Sequence, residues 1–451
     1  MNHYSFVGLY KDEQINLNQD DSIKIDIPLF TDNSKLDHNI GTFINKLSQK
    51  GLVPNDLGLD LVILALLVYA ADTRVSRDEF AQDGWTREFD IYIPVLNINL
   101  WENNKKLIQQ ILNFLSGDQW NLFFRQRPVE FINILNKETT QKSLFSYSCI
   151  SLLSGGLDSY TGAIDILNRG EKPIFISHHC DPANPVYQTA CVTSLENKYG
   201  LNSFFSLSTS VGFDKKIDSL PNRETTLRSR SFLFFALAIL TATCFENSIN
   251  ILVPENGLIS LNVPLDSLRL GALSTRTTHP FYMAKWNELL SSLNFNTQLI
   301  NPYRFRTKGE MLAECSDKDF LKETVNLTIS CSSPKLGGWK SDLKHCGYCL
   351  PCIIRRASIE HAFLTDFTEY RCNIKSKKIL NSKRAEGEDV RSFQYAINKI
   401  KKNPRSARFS VHIPGPLTDY SLDDINKYEQ VYTRGMNEVA QLLKDVKTKP
   451  R

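Results

Sequence analysis

The stretch Ser154-Gly155-Gly156-Leu157-Asp158-Ser159 constrains this chain more than any other. A short apolar segment, Tyr147 to Leu153, precedes it and reads as a buried strand. Tyr160 to Asn168 follows with apolar residues at helical spacing. A strand, a glycine-rich turn and a helix in that order offer backbone N–H groups to an anion at the helix start. The paired glycines carry no Cβ, so the main chain can approach such an anion closely. The hydroxyls of Ser154 and Ser159 add donors. Asp158 suits an anion site when a Mg²⁺ ion lies between its carboxylate and phosphates. The pattern reads as a cradle for the β- and γ-phosphates of ATP, with the α-phosphate left open to attack.

No Gly-Lys-Ser/Thr is present here, which excludes the lysine-bearing P-loop. The stretch resembles the PP-loop, Ser-Gly-Gly-x-Asp-Ser, of the ATP pyrophosphatases. Those enzymes adenylate a substrate and release pyrophosphate. The resemblance assigns ATP contacts to Leu153, Ser154, Gly155, Gly156, Leu157, Asp158 and Ser159. An ordinary Gly-Gly turn is the alternative, but every fixed position of the motif is matched in the expected strand–helix context.

A chain of 451 residues has room for two or three domains. Its 42% hydrophobic and 23% charged content is that of an ordinary globular protein. A net charge of +4 does not call for a nucleic-acid partner. The start, Met1-Asn2-His3-Tyr4, has no basic-then-apolar leader pattern. The longest apolar runs, Leu61 to Ala71 and Phe232 to Ala238 with its continuation, are shorter than the ~20 residues that span a bilayer. They read as buried helices, and the chain as a cytoplasmic protein without membrane segments.

Residues 1–143 read as an α+β extension for binding a partner or substrate. Ser22 to Ile27 and Arg87 to Ile93 alternate as half-buried strands do. Asp60 to Ala71 and Asn104 to Leu115 read as helices, and Trp120 to Arg125 as an aromatic strand. Arg125 and Arg127 are a weak nucleic-acid signal. Residues 144–365 change to strands at 147–153, 173–178, 203–208, 249–253 and 297–300. Helices at 159–168, 184–199, 225–246 and 280–293 lie between them. Such alternation predicts a parallel sheet with helices on both faces and a ligand site at the carboxyl ends of the strands. Candidates at those ends are His178-His179, Arg228-Ser229-Arg230, Glu255-Asn256-Gly257 and Asn262, with Thr307-Lys308 at a helix start. The histidines read as loop residues, and Arg228 as a phosphate clamp at a helix entrance. Glu255, Asn256 and Asn262 are groups that can read a ribose or a heterocycle edge. Residues 366–451 turn polar and basic, with runs at Lys375 to Lys383 and Lys399 to Lys402. Ser421-Leu422-Asp423-Asp424 then caps a helix over 423–446. This extension reads as a peripheral helical appendage in preference to an RNA-binding tail.

Cys331, Cys346, Cys349 and Cys352 form the second strong signal. Four thiolates at these spacings fill a tetrahedral Zn²⁺ completely, which makes the ion structural. An iron–sulfur cluster is the rival occupant. Arg355 or Arg356, on the helix behind the knuckle, can point back towards a nucleotide. Cysteines 149, 180, 191, 244, 315 and 372 read as isolated small hydrophobes.

The PP-loop followed by Cys…Cys-Gly-x-Cys-x-x-Cys resembles the QueC family, the 7-cyano-7-deazaguanine synthases, over residues 145–365. The resemblance implies a PP-loop (HUP-type) α/β fold. It places the family's arginine helix start on Arg228, Phe232 and Leu233, its Thr-Lys on Thr307-Lys308, and its zinc ligands on the four cysteines. The chain departs at Ser229, at Ser177 to Cys180 and at Glu255-Asn256-Gly257, and it is about twice the usual length. In these respects it is similar to the QueC-like proteins of the Qat and type IV CBASS antiviral systems.

The implied substrate is 7-carboxy-7-deazaguanine. Its carboxylate attacks the α-phosphate of ATP, aided by Ser154, Asp158 with Mg²⁺, Ser159, Arg228 and Lys308. An amine then displaces AMP. In the defence-associated group the amine is the N-terminus of a partner protein. The alternatives are ammonia, giving preQ0, and an RNA-modifying PP-loop activity.

Overall fold

A computed structural model describes residues 3–10, 13–17, 22–32, 35–81, 84–128, 135, 146–179, 184–213, 224, 228–267, 276–332, 335–336, 343–376 and 378–450. The domain boundary expected at 143–144, Cys180, Lys377 of the first basic run, and the start of the helix expected from 225 lie outside the described residues.

The N-terminal region is built on four strands: β1 (His3–Leu9), β2 (Ser22–Pro28), β3 (Glu88–Val95) and β4 (Gln119–Gln126). They lie in the order β2-β1-β3-β4, and every neighbouring pair is parallel. Helices α1 (Ile40–Ser48) and α2 (Asp56–Arg74) separate β2 from β3, and α3 (Ile98–Ser116) separates β3 from β4. The expected α+β extension is therefore corrected to α/β. Alternation of side chains shows that one face of a strand is buried, but it does not say which way the neighbour runs. Helical crossovers between successive strands carry that information.

The second sheet contains β5 (Cys149–Leu152), β6 (Pro173–His178), β7 (Phe205–Thr209), β8 (Ile251–Leu252) and β9 (Leu299–Ile300). The order is β9-β8-β5-β6-β7, again all parallel. Helices α4 (Leu157–Asn168), α5 (Asn184–Tyr199), α6 (Arg230–Ala242), α7 (Gly257–Leu261) and α8 (Pro280–Ser292) connect the strands. Beyond the sheet come α9 (Lys308–Ala313), α10 (Leu350–Phe363), α11 (Ala385–Lys402) and α12 (Leu422–Leu442). Strands with crossover helices, as expected from the sequence, thus form the middle of the chain.

The two sheets share one core. Helix α2 packs on β1 and β3 and also on α6, which lies against β5, β6 and β8. Phe6, Leu66, Phe235 and Ile251 belong to a single continuous apolar cluster. This explains the two longest apolar runs in the sequence. A helix covered on two sides must be apolar almost all round. No helix among the described residues is long and apolar enough to cross a membrane.

Charges are also buried between these layers. Arg87 pairs with Asp72 at 2.6 Å and with Asp118 at 2.7 Å, and Arg77 pairs with Asp118 at 2.7 Å. Asp72 also accepts the Ser229 N–H at 2.8 Å, so the N-terminal region holds the entrance of α6. Arg127 is fully buried against Asp56 and Asp60. Arg125 is bonded to Glu13 and to the Gly8 carbonyl. Both arginines are committed inside the fold, which removes the weak nucleic-acid signal read at these positions.

The C-terminal extension is not peripheral. Helix α12 packs on α7, α9 and α10, and its Tyr428, Val431, Met436 and Val439 share a core with Leu258 and Ile353.

Candidate functional site

The chain leaves β5 for β6 and β7 on one side and later returns through β8 and β9 on the other. The crevice between the carboxyl ends of β5 and β8 is therefore the topological switch point, where open parallel sheets collect ligands. The Ser-Gly-Gly turn follows β5 directly, and Pro254-Glu255-Asn256 follows β8.

The turn is held by its own serines. Ser159 Oγ accepts the Ser154 N–H at 3.1 Å and donates to the Gly156 carbonyl at 3.0 Å. Ser154 Oγ accepts the Gly156 N–H at 3.2 Å. Gly155 has φ +82°, a left-handed conformation that favours glycine, and the space beside it is filled by Gln188. Gln188 donates to the carbonyls of Ser154 and His178, both at 3.3 Å, tying the turn to the end of β6. On the other side the Ile329 N–H donates to the Gly155 carbonyl at 3.0 Å. Leu153 and Leu157 are buried beneath the turn and serve as its apolar footing.

Asp158, in the first turn of α4, is the centre of the site. Its Oδ1 lies 2.9 Å from Lys308 Nζ. Its Oδ2 accepts Asn256 Nδ2 at 2.7 Å and the Asn256 N–H at 3.3 Å. Asp158 is 8% exposed and Lys308 6%. The structure thus joins three candidates that lie far apart in sequence. Asn256 also caps α7 by accepting the Ile259 N–H. Glu255 accepts the Thr278 hydroxyl. Burial, the Thr278 hydrogen bond, which opposes it, and the nearby Asp158 charge set the Glu255 pKa, with a net rise to about 7. Asn262 ends α7 with φ 51° and has a turn role, with no contact to Asp158 among the described residues.

Arg228 is placed differently from the expected phosphate clamp. Its guanidinium donates to the Ser116 carbonyl and lies over the Trp85 ring, both in the N-terminal region. Burial, then the neighbouring Arg77 charge, lower its pKa to about 10. Arg230, two residues on, donates to the His178 carbonyl at 2.6 Å and so lies nearer the turn. The expectation for His178 is also changed, while His179 lies past the strand end with its N–H bonded to the Thr209 carbonyl at 3.0 Å. His178 is the last, fully buried residue of β6, and burial pushes its pKa down to about 3.

One residue that the sequence reading missed comes from α12. Glu438 accepts the Thr307 hydroxyl and the Gly309 N–H, the latter at 3.2 Å. A Cβ at Gly309 would stand 2.6 Å from Glu438 Oε1. Thr307 and Glu310 complete a capping box, so the backbone that carries Lys308 is fixed from two directions. Arg434 of the same helix pairs with Glu310. A glutamate 130 residues downstream on an amphipathic helix carries no local signal of this contact.

The four-cysteine cluster assembles as expected. The sulfurs of Cys331, Cys346, Cys349 and Cys352 all lie within 4.8 Å of one another and could hold a metal ion. Cys346 and Cys352 are 3.8 Å apart, and Cys331 and Cys349 4.0 Å. Sulfurs about 2.3 Å from one zinc stand about 3.8 Å apart, so the set fits a zinc ion. Backbone N–H groups of Cys346 and Cys349 point at the sulfurs of Cys331 and Cys346, both at 3.3 Å. Arg355 donates to Thr328 Oγ1 and the Val325 carbonyl, both at 2.7 Å. Arg356 stacks on Tyr370 at 4.4 Å. Both therefore brace the knuckle and its approach, in place of the expected reach towards a nucleotide. The other five described cysteines are free and outside this cluster.

Family models, curated proteins and solved structures give no match to the chain.

Proposed function

We propose that the crevice between β5 and β8 is a PP-loop site that adenylates a carboxylate with ATP. The observation that carries this reading is the convergence of Asp158, Lys308 and Asn256 beside a turn whose backbone is shaped by Ser154 and Ser159. An anion cradle, one buried cation and one carboxylate at a switch point are the groups needed to hold a nucleoside triphosphate.

Asp158 is the carboxylate available to a Mg²⁺ bound mainly through phosphates. Such an ion would neutralise charge on the leaving pyrophosphate. Lys308 and the turn N–H groups would bear on the same oxygens. The substrate carboxylate forms a bond to the α-phosphorus as the α–β P–O bond breaks. An amine then bonds to the acyl carbon, and the acyl–O bond breaks to release AMP. Glu255, with its pKa near 7, is suited to take the proton from the incoming amine.

The substrate proposed from the QueC resemblance is 7-carboxy-7-deazaguanine, and the amine is the N-terminus of a partner protein. The departures at Ser229 and at Glu255 to Gly257 support an altered second half-reaction. The additional N-terminal sheet and the C-terminal helices support it too. Mass spectrometry of the chain with ATP, 7-carboxy-7-deazaguanine and either ammonia or a co-expressed candidate protein tests this. An adduct of deazaguanine mass on a protein N-terminus is expected. A small-molecule amide or nitrile would assign the amine to ammonia instead, and no carboxylate-dependent product would overturn the reading.

A further inference from the structure

The C-terminal extension carries a surface that the adenylation site does not use. Residues 390–418 contain six cations, Arg391, Lys399, Lys401, Lys402, Arg405 and Arg408, and no carboxylate. That local excess is larger than the net charge of +4 of the whole chain. All six are exposed. Among the described residues none of them forms an ion pair or a side-chain hydrogen bond. Elsewhere on the surface, lysines such as Lys285, Lys375 and Lys427 do find carboxylates.

The cations are ordered on α11. Arg391, Tyr395, Lys399 and Lys402 follow at spacings of four, four and three, so they share one exposed stripe. From Arg391 to Lys402 the stripe is about 16 Å long at 1.5 Å per residue. The opposite face, with Val390, Phe393, Ala396, Ile397 and Ile400, is buried in the C-terminal core. Arg405, Arg408 and Phe409 continue the surface immediately past the end of the helix. Tyr395 is 60% exposed and Phe409 72%. Lysines in the last turn of a helix complement its dipole, which accounts for Lys399, Lys401 and Lys402. It does not account for Arg391, Arg405 and Arg408, or for two open aromatic rings among them.

We propose that this face binds single-stranded nucleic acid. A row of unpaired cations follows a phosphodiester backbone, and an exposed ring between them offers a platform for an unstacked base. A duplex would leave the rings unused because its bases are already stacked. A membrane surface fits less well, because the apolar face of α11 is spent on the core and cannot enter lipid. The proposal does not depend on the adenylation reading.

The test is fluorescence anisotropy of the full chain with a labelled 20-nucleotide mixed-sequence RNA, the matching DNA and their duplexes, at several salt concentrations. We expect single strands to bind in a salt-dependent way and more tightly than duplexes. The triple variant K399E/K402E/R405E should weaken binding at least tenfold and flatten the salt dependence. Y395A and F409A should each weaken it about fivefold or more with the salt slope retained, since stacking is worth about 1–3 kcal/mol per base. The substitutions are on exposed positions, and circular dichroism checks that the fold is kept. Any one of four results would overturn the proposal: no oligonucleotide binding, equal binding of duplex, unchanged binding by the aromatic variants, or binding to anionic vesicles that oligonucleotides do not displace.

Discussion

Lys308 Nζ lies 2.9 Å from Asp158 Oδ1, and both side chains are buried. Removing one member of such a pair leaves a buried charge without a partner, at a cost of about 3–5 kcal/mol. Removing both leaves none. Asp158→Asn should therefore lower Tm, and adding Lys308→Met should restore much of the loss. Adenylation should fall by about 10²-fold or more in the single variant and stay low in the double. Thermal melts and initial rates on the four proteins of the cycle separate the structural role of the pair from its catalytic one. Recovery of activity along with stability would assign the pair to the scaffold alone.

Glu255 predicts a pH dependence. Its pKa rises from 4.5 unfolded to about 7 folded. The folded state therefore holds its proton more tightly, and stability declines as pH rises from about 4.5 through 7. Glu255→Gln should match the wild type near pH 4.5 and be more stable above pH 7, by an amount on the order of 1–3 kcal/mol. Activity should behave oppositely. The wild-type rate should climb through about pH 7 as the base ionises, and Glu255→Gln should be slow at every pH. Denaturation curves at pH 5 and 8 and a pH–rate profile report the two effects.

The contact of Glu438 with Thr307 and Gly309 makes α12 part of the site. Glu438→Ala should destabilise the protein by about 1–3 kcal/mol through the unsatisfied buried donors. It should also weaken ATP binding more than turnover, because Lys308 loses its anchored backbone. Isothermal calorimetry with a non-hydrolysable ATP analogue and steady-state kinetics check the split.

The sulfur geometry predicts one zinc per chain, measured by elemental analysis of the purified protein. Stripping it should lower Tm and loosen nucleotide binding together. The reason is that Ile329, two residues before Cys331, is bonded to the Gly155 carbonyl. Iron in place of zinc, with visible absorption, would contradict the assignment.

Much of this site could be read from the sequence because its signals are local. Ser154 to Ser159 and the four cysteines are short patterns, and Thr307-Lys308 is legible as a helix start. The strands around them alternate with helices at readable spacing. What could not be read was set by distant packing. Parallel pairing in the N-terminal sheet depends on crossovers and not on the alternation within a strand. The contacts of Arg228 with Ser116 and Trp85 exist only once the two sheets share a core. Glu438 and Gln188 reach the site from helices with no motif of their own. The apolar runs of α2 and α6 marked burial correctly, but not that they would bury against each other.

Exchange of labelled pyrophosphate into ATP reports formation of the acyl-adenylate itself. Exchange is expected to depend on 7-carboxy-7-deazaguanine, to need no amine, and to disappear in Asp158→Asn. Exchange that survives in Asp158→Asn, or ATP cleavage that yields only ADP and phosphate, would contradict adenylation at this site.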